Sequence, residues 1–428
     1  MNVPTRRPPF GPWRSPLRGP WLTSVFGLVL LVGLPLVLVT GLLSYAAYNP
    51  GLSPSNDKTP DKGLLGFYLF AWPTDPYWLY RLTQGVHITL GVVLAPVLLA
   101  KLWSVVPRFF ALPPVRSLAH ALDRLSLLLL IGSALFEFVT GLLDIQLDYV
   151  FPGSFYPLHF YGAWVFFGAF LAHVALRLPR AVRAVRGRSL RAELRTPRSR
   201  TRPEPLDDTG LVSTRPAAPT VSRRGALGLV GLGSLTLLAL TAGQSIGGSL
   251  RRTAVLAPRG RNPGSGPNGF QINRTTTAVH IRQRDLGESW RLTVRGADRS
   301  VTLTLAQVRA LPQHRSALPI ACVEGWSTDD QEWEGVRLLD LAGLAGHEDD
   351  PPGVFVESVQ LAGSFRAVAL RANQVRDPRS LLALRVNGAV LSPDHGYPAR
   401  VIVPNAPGVM NTKWVRRLSF DATTFGER

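Results

Sequence analysis

Two kinds of hydrophobic patterning divide the chain. Up to about residue 250 it carries five unbroken apolar runs, roughly 21–47, 79–106, 121–143, 157–178 and 225–247. Each is long enough for a helix to cross a bilayer, which takes about 20 apolar residues. Beyond residue 250 the apolar positions shorten and alternate, as in "SWRLTVRG", "SVTLTL", "GVFVESVQL" and "ARVIVP", with Gly, Pro, Asn and Asp between them. Period-two alternation bounded by turn formers predicts strands, and only "LAQVRAL" and "LLDLAGLAG" read as helices. The pattern predicts an N-terminal transmembrane α-helical bundle, five helices in total, followed by a mixed α+β, mostly β domain.

Charge gives the helices a direction. The formal charge is +19, but its placement matters more than its size. Arginines gather between apolar runs: Arg6, Arg7, Arg14 and Arg18 before the first, the "KLWSVVPRFFALPPVRS" loop, and "RLPRAVRAVRGRSLRAELRTPRSRTRPEP" before the fifth. Basic loops stay on the cytoplasmic side. The loops "NPGLSPSNDKTPDKG" and "DIQLDYVFPGSFYP" then lie outside, and an odd number of crossings carries the C-terminal domain out of the cytoplasm. No aromatic or glycine motif of a nucleic-acid module is interleaved with the basic residues, so the expected contact is the lipid bilayer and not nucleic acid. The expected layout is a cytoplasmic tail at 1–20, a four-helix membrane domain at 21–180, a basic cytoplasmic linker at 181–222, a fifth transmembrane helix at 223–250 and an extracytoplasmic domain at 251–428. This is a multi-pass protein of the cell membrane.

Four of the eight histidines, His87, His120, His159 and His173, fall in the membrane half. Ionisable residues within apolar helices are costly and mark function. His159 and His173 are fourteen residues apart in "LHFYGAWVFFGAFLAHVAL", about 21 Å of helix rise and within about 40° of one face. His87 sits toward the outer end of the second run and His120 at the inner start of the third. One such histidine reads as an interfacial side chain reaching for water; four, two per leaflet, read as axial haem ligands, His87 with His159 and His120 with His173. Gly85, Gly91, Gly162, Gly168 and Ala172 would let a flat macrocycle approach. On "WLYRLTQGVHITLG" and "PLHFYGAWVFFGAFLAH", residues 20 to 180 resemble the membrane-bound di-haem cytochrome b family. That resemblance implies one or two b-type haems and exchange with quinone. Lys101 stands fourteen residues after His87, where the cytochrome b of respiratory bc complexes has a second histidine. Glu137 reads either as a proton relay to quinone or as a hydrogen bond to a neighbouring helix, and Arg81 and Arg124 as interfacial anchors or haem-propionate partners.

The fifth run opens "VSRRGALGLVGLG". Arg223 and Arg224 there look like a twin-arginine export signal, and they suit a positive-inside anchor equally well. Export by the twin-arginine machinery would let the following domain fold around a cofactor first.

Cys322 is the only cysteine. It can form no intrachain disulfide and no cysteine-paired zinc site, which leaves a buried filler, a nucleophile or a metal ligand. Its surroundings, "CVEGWS" followed by "WEGVRLLDL", and the later block "DHGYPARVIVPNAPGVMNTKWV", resemble the molybdopterin-binding domain of the sulfite oxidase family over residues 268 to 420, including the periplasmic methionine-sulfoxide reductase subunits. "NGFQINRT" matches more loosely. The resemblance implies a molybdenum–molybdopterin cofactor with Cys322 as metal ligand. Arg400 and Lys413 would bind the pterin phosphate, with His395, and less directly Asn268 and Asn273, hydrogen-bonded to the cofactor. His280, His314 and His347 have no motif around them and read as surface residues.

Molybdenum moves an oxygen atom with two electrons, and haem passes one electron at a time. Together they predict a membrane-anchored oxidoreductase that couples an oxo substrate outside the cytoplasm to the quinone pool. Reduction of an S-oxide or N-oxide is favoured over a sulfite dehydrogenase passing electrons inward. The chain stops soon after the cofactor block, and the "LPIA" before Cys322 has no arginine for an anionic substrate. The reading from another class is a non-catalytic, membrane-anchored binding protein.

Overall fold

The computed structural model describes residues 14–52, 70–109, 117–145, 155–207, 209–259, 263–348, 350–361 and 365–420. The arginines of the extreme N-terminus and parts of all three short loops between the first four runs lie outside these residues. The long apolar runs are helices: α1 (Pro20–Leu52), α2 (Leu79–Val93), α3 (Ala95–Phe109), α4 (Leu118–Asp144), α5 (Tyr156–Arg186) and, after the short α6 (Leu190–Arg195), α7 (Arg223–Thr241). The run at 79–106 is broken at Leu94, two residues before Pro96, whose ring and missing N–H disfavour an uninterrupted helix. Five spans are long and apolar enough to cross a membrane. Leucines on their surfaces, such as Leu122, Leu125 and Leu129 of α4 and Leu229, Leu232 and Leu235 of α7, are exposed.

Two compact units share these helices. The first comprises Met1–Leu38, Leu90–Leu143 and Leu158–Ala239. Its core gathers Trp21, Leu22, Phe26 and Leu30 with Leu94 and Val97. Within the stretch expected as a basic cytoplasmic linker at 181–222, α5 runs on to Arg186, and α6 is capped by Ser189, whose side chain accepts from Ala192 N. The physical reason is a pair of acids among the arginines. Glu193 pairs with Arg188 at 2.8 Å and Arg223 at 3.4 Å, and Glu204 accepts the Trp21 backbone N–H at 2.9 Å. Arg223, 1% exposed, also donates to the carbonyls of Pro16 and Arg202. Half of the twin-arginine-like pair is thus a buried structural cation, a role that an export signal does not require.

The second unit comprises Val39–Thr89, Asp144–Pro157 and Leu240–Arg428. It contains α8 (Gly243–Ile246), α9 (Leu305–Ala310), α10 (Leu338–Leu344), α11 (Ala372–Arg376) and two sheets. One sheet has the order β2 (Ser300–Thr304), β1 (Arg291–Arg295), β10 (Val415–Ser419), β5 (Gly353–Ser358) and β6 (Ala367–Arg371), with only β1 and β10 parallel. The other runs β3 (His314–Leu318), β4 (Gln331–Arg337), β7 (Leu381–Val386) and β8 (Ala389–Val390), with β9 (Arg400–Ile402) antiparallel to β7. Both helices expected after residue 250 are present; α11 lacked a signal because "ANQVR" is a single turn.

Alternation in the second sheet creates two faces. Val336, Leu382, Leu384 and Val401 face the main core, whereas Trp333, Leu381, Ala383 and Ile402 face a second cluster that includes Cys322. Successive strand residues point to opposite faces, so Arg400 shares the side of Ile402. It stands with its guanidinium carbon 5.2 Å from the Trp333 ring centroid.

Candidate active site

The site is built on a hairpin. Ile320 N donates to Thr328 Oγ1 (2.8 Å) and Thr328 N to the Ile320 carbonyl (2.9 Å), while Cys322 N donates to the Trp326 carbonyl (2.8 Å). Gly325 closes the turn at φ +90°, where L side chains are strained. Cys322 is 3% exposed. Burial, then the charge of Glu324, raises its thiol well above the ordinary range. A thiol so placed stays protonated until a metal displaces the proton.

The two motif blocks meet at this hairpin. Gly408 N donates to the Ala321 carbonyl at 2.6 Å, and a Cβ on Gly408 would come within 3.0 Å of Ile320 Cγ2. Gly396, at φ +109°, lies against Arg400 Cβ and Lys413 Cβ, so a side chain there would push the two cations apart. Arg400 donates to the carbonyls of His395 (3.0 Å) and Asn411 (3.1 Å), and Lys413 Nζ to those of Arg274 (2.6 Å) and Asp394 (2.8 Å). His395 stacks on Phe270, ring centroids 3.8 Å apart, and its Nε2 donates to the Asn268 carbonyl at 2.9 Å. Burial and the Arg400 charge lower its pKa to about 3, so it is neutral. Asn268 uses both ends of its amide on backbone, Val390 O and Ser392 N, and Asn273 accepts from the N–H of Arg274. These two asparagines shape the wall; His395, Arg400 and Lys413 cluster within it.

This cluster fits an anion. Arg400 is a buried and Lys413 a half-buried cation, and the hydrogen bonds described above for both go to carbonyls, with the Asp394 carboxylate acting on Lys413 only through its charge. Burial lowers the Arg400 pKa to about 9, and burial with the Arg400 charge lowers that of Lys413. Buried charges are stable when paired. Arg400 Nε and Asn411 Nδ2 are also buried without acceptors among the described residues. A phosphate-bearing pterin supplies the charge and the acceptors, and a soft thiolate suits molybdenum already held by sulfur.

Comparison with known proteins agrees with this chemistry. The family model for the oxidoreductase molybdopterin binding domain matches residues 278–427. This part of the chain is a molybdopterin-binding oxidoreductase domain. It is 34% identical over 132 residues to the uncharacterized oxidoreductase YuiH of Bacillus subtilis, covering 31% of this chain and 65% of that protein. It is 31% identical over 154 residues to the mitochondrial sulfite oxidase of Drosophila melanogaster, covering 31% and 27%. The chain thus spans less than two thirds of these relatives. Among solved structures, the sulfane dehydrogenase SoxCD from Paracoccus pantotrophus aligns at 25% identity over 32% of this chain and 39% of its own, with a TM-score of 0.29.

Around the molybdopterin domain's cysteine the structure brings in residues that sequence reading missed. Arg259 donates to both carboxylate oxygens of Glu324 (3.0 and 3.3 Å), and Trp326 Nε1 donates to Glu324 Oε2 at 2.6 Å. Asn405, in the left-handed region at φ 52°, accepts from Tyr80 N (2.6 Å) on its side chain and from Trp72 Nε1 (2.6 Å) on its carbonyl. Nothing in the sequence around Arg259 signalled its position. Gln84, a lone amide in an apolar run beside His87, was a signal of the kind that marks function.

The histidines sit on the expected helices. A Cβ at Gly41 would come 2.8 Å from the His87 ring, and one at Gly141 3.2 Å from the His159 ring, so each ring lies against a glycine of another helix. His159 Nδ1 is 3.0 Å from Thr140 Oγ1 and 3.2 Å from Glu137 Oε2, which gives Glu137 its hydrogen bond to a neighbouring helix. Of the glycines expected to admit a macrocycle, Gly91 and Gly168 face open space. Gly85 instead lies against Ser245, and Gly162 makes room for Glu137. His173 is partly buried, and the His120 side chain lies outside the described residues. Arg81 donates to the carbonyls of Ser245 and Ile246, an anchoring role at a helix end.

The neutral His395 yields a pH prediction. Its proton is absent in the folded chain and present in the unfolded chain between pH 3 and its ordinary 6.5. Its contribution is therefore complete above pH 6.5 and is lost as pH falls toward 3, on the order of a few kcal/mol. Tryptophan-fluorescence unfolding of the full chain across this range should show the loss, and His395→Gln should flatten it. An equally steep fall in the variant assigns the acid sensitivity elsewhere.

Proposed function

We propose that the chain is a membrane-anchored molybdopterin oxidoreductase that reduces an S-oxide or N-oxide outside the cytoplasm with electrons drawn from the quinone pool through b-type haems. The observation that carries the cofactor reading is a buried thiol on a hairpin that meets the block carrying the cations Arg400 and Lys413, whose hydrogen bonds described above go to carbonyls. When bound, the cofactor exchanges an oxygen atom and two electrons with the substrate. Cys322 holds its metal, Arg400 and Lys413 hold its anionic end, and the neutral, stacked His395 fixes the loop between them. The direction rests on Arg259, which reaches the Cys322 hairpin but is paired with Glu324. A cation so neutralised favours an uncharged oxo substrate over sulfite. In the helices, His87 with His159, and His120 with His173, are the proposed haem ligands; the glycines against the first two rings and the open space at Gly91 and Gly168 support it.

An anaerobic assay on the purified full chain tests this. Methionine sulfoxide should oxidise pre-reduced haems, and His159→Ala should remove one haem without altering molybdenum content. Reduction of the haems by sulfite would reverse the direction and make the chain a sulfite dehydrogenase. Absence of both haem absorbance and molybdenum would leave a binding protein.

A further inference from the structure

The hairpin that carries Cys322 is gripped from two sides within the second unit. One set of contacts comes from the segment after α7: Ser245 Oγ donates to the Gly325 carbonyl (2.5 Å), Ser327 N to the Gln244 carbonyl (2.9 Å) and Arg251 to the Ser327 carbonyl (2.6 Å). The other comes from α2. Gln84 Nε2 donates to the carbonyl of Val323, the residue after Cys322, at 2.5 Å, and Ile88 lies where a side chain on Gly325 would have to go. Gln84 is 6% exposed, and its Oε1 has no partner among the described residues. A buried amide half satisfied in this way costs stability, so packing alone does not explain its choice over an apolar residue. His87 follows Gln84 by three positions, less than one helical turn.

We propose that the Gln84 amide is the route by which single electrons pass between the haem on His87 and the metal on Cys322, a role that rests on the function proposed above. The path is covalent from His87 along α2 to Gln84, crosses one hydrogen bond to the Val323 carbonyl, and is covalent again to Cys322. Among the described residues, Gln84 is the side chain of α2 hydrogen-bonded to this hairpin. Each crossing oxidises one ferrous haem iron to ferric and lowers the molybdenum by one oxidation step. Two crossings supply the electron pair with which the oxo substrate, taking up two protons, releases its oxygen as water. Ser245 also touches α2, its carbonyl accepting from Arg81 and its side chain lying against Gly85, but that path needs a second crossing to reach the hairpin, and Arg251 leads to no histidine among the described residues, so these contacts position the hairpin without carrying the current.

That division makes the role testable on the full-length holoprotein in detergent. A laser flash with a deazaflavin photoreductant places one electron on the haem. Decay of the ferrous band, with growth of the Mo(V) electron paramagnetic resonance signal, times its passage. Gln84→Met should slow passage by about tenfold, equivalent to about 1.4 kcal/mol in the barrier, and Ser245→Ala should leave it unchanged. Haem spectrum, molybdenum content and turnover with a reduced viologen dye should match wild type in both. Gln84→Asn, which keeps the amide but shortens its reach, should slow passage in the same way and serves if the methionine variant does not fold. Passage at the wild-type rate in the Gln84 variants, or equal slowing in Ser245→Ala, overturns the route while leaving the proposed function standing. Wild-type protein without haem overturns the function and the route with it.

Discussion

Cys322→Ser is expected to bring substrate turnover down to background, a fall of at least about a thousandfold, the scale seen when one member of a reacting unit is removed. Turnover should fail with a viologen dye as well as with the native electron source, and the Mo(V) signal should lose its thiolate character. The haem spectrum should stay at wild-type intensity. The substitution removes one polarizable sulfur from a side chain that is 3% exposed, and its hydroxyl can reach backbone carbonyls of the hairpin. Its cost to folding is therefore about 1–3 kcal/mol at most. Burial and the Glu324 charge already hold the thiol protonated in the protein without metal, and only coordination offsets that. A hydroxyl is a far weaker acid and a harder ligand, so it cannot take the same place. Near-normal turnover in a folded Cys322→Ser protein would refute the metal-ligand role. Loss of turnover together with loss of haem would show a general folding failure, and circular dichroism would separate the two.

What could be read from sequence depended on how local each signal was. The five helices were legible because an apolar run long enough to span a bilayer is a property of contiguous residues. So were β1, β2, β5 and β9, whose alternation is visible within a few positions. The cation pair Arg400 and Lys413 could be named from its block, but not the reason the two converge, which is the absent side chain of Gly396. The acids Glu193 and Glu204 were hidden among arginines, and counting net charge concealed that they organise the segment expected to be a linker. At Asn268 the motif suggested a cofactor contact, and what the fold adds is that both ends of its amide also hold backbone. Arg259, Asn405 and Gln84 act across separations of 65, 325 and 239 residues, to Glu324, Tyr80 and Val323 respectively. No local pattern encodes such pairings, because each arises only when segments distant in sequence pack together.

Arg400→Met and Lys413→Met are expected to abolish cofactor loading while making the cofactor-free protein more stable. The two effects have opposite signs and one cause. In wild type the hydrogen bonds described for the buried Arg400 and the half-buried Lys413 go to carbonyls, and the bound anion would complete the balance. Replacing a buried charge by an apolar side chain of similar volume removes a desolvation penalty of about 1–4 kcal/mol, and methionine adapts to the space left beside Trp333 at Arg400 or beside Trp414, over whose ring Lys413 Nζ lies 5.0 Å from the centroid. Molybdenum and pterin content should fall close to zero in either variant. Cofactor-free preparations, from cells starved of molybdate, should unfold at higher denaturant than wild type. A variant that loads cofactor normally would remove Arg400 or Lys413 from the anion site. One that loses cofactor and is also destabilised without it would show that the cation holds the fold by its carbonyl bonds, and that the anion is bound elsewhere.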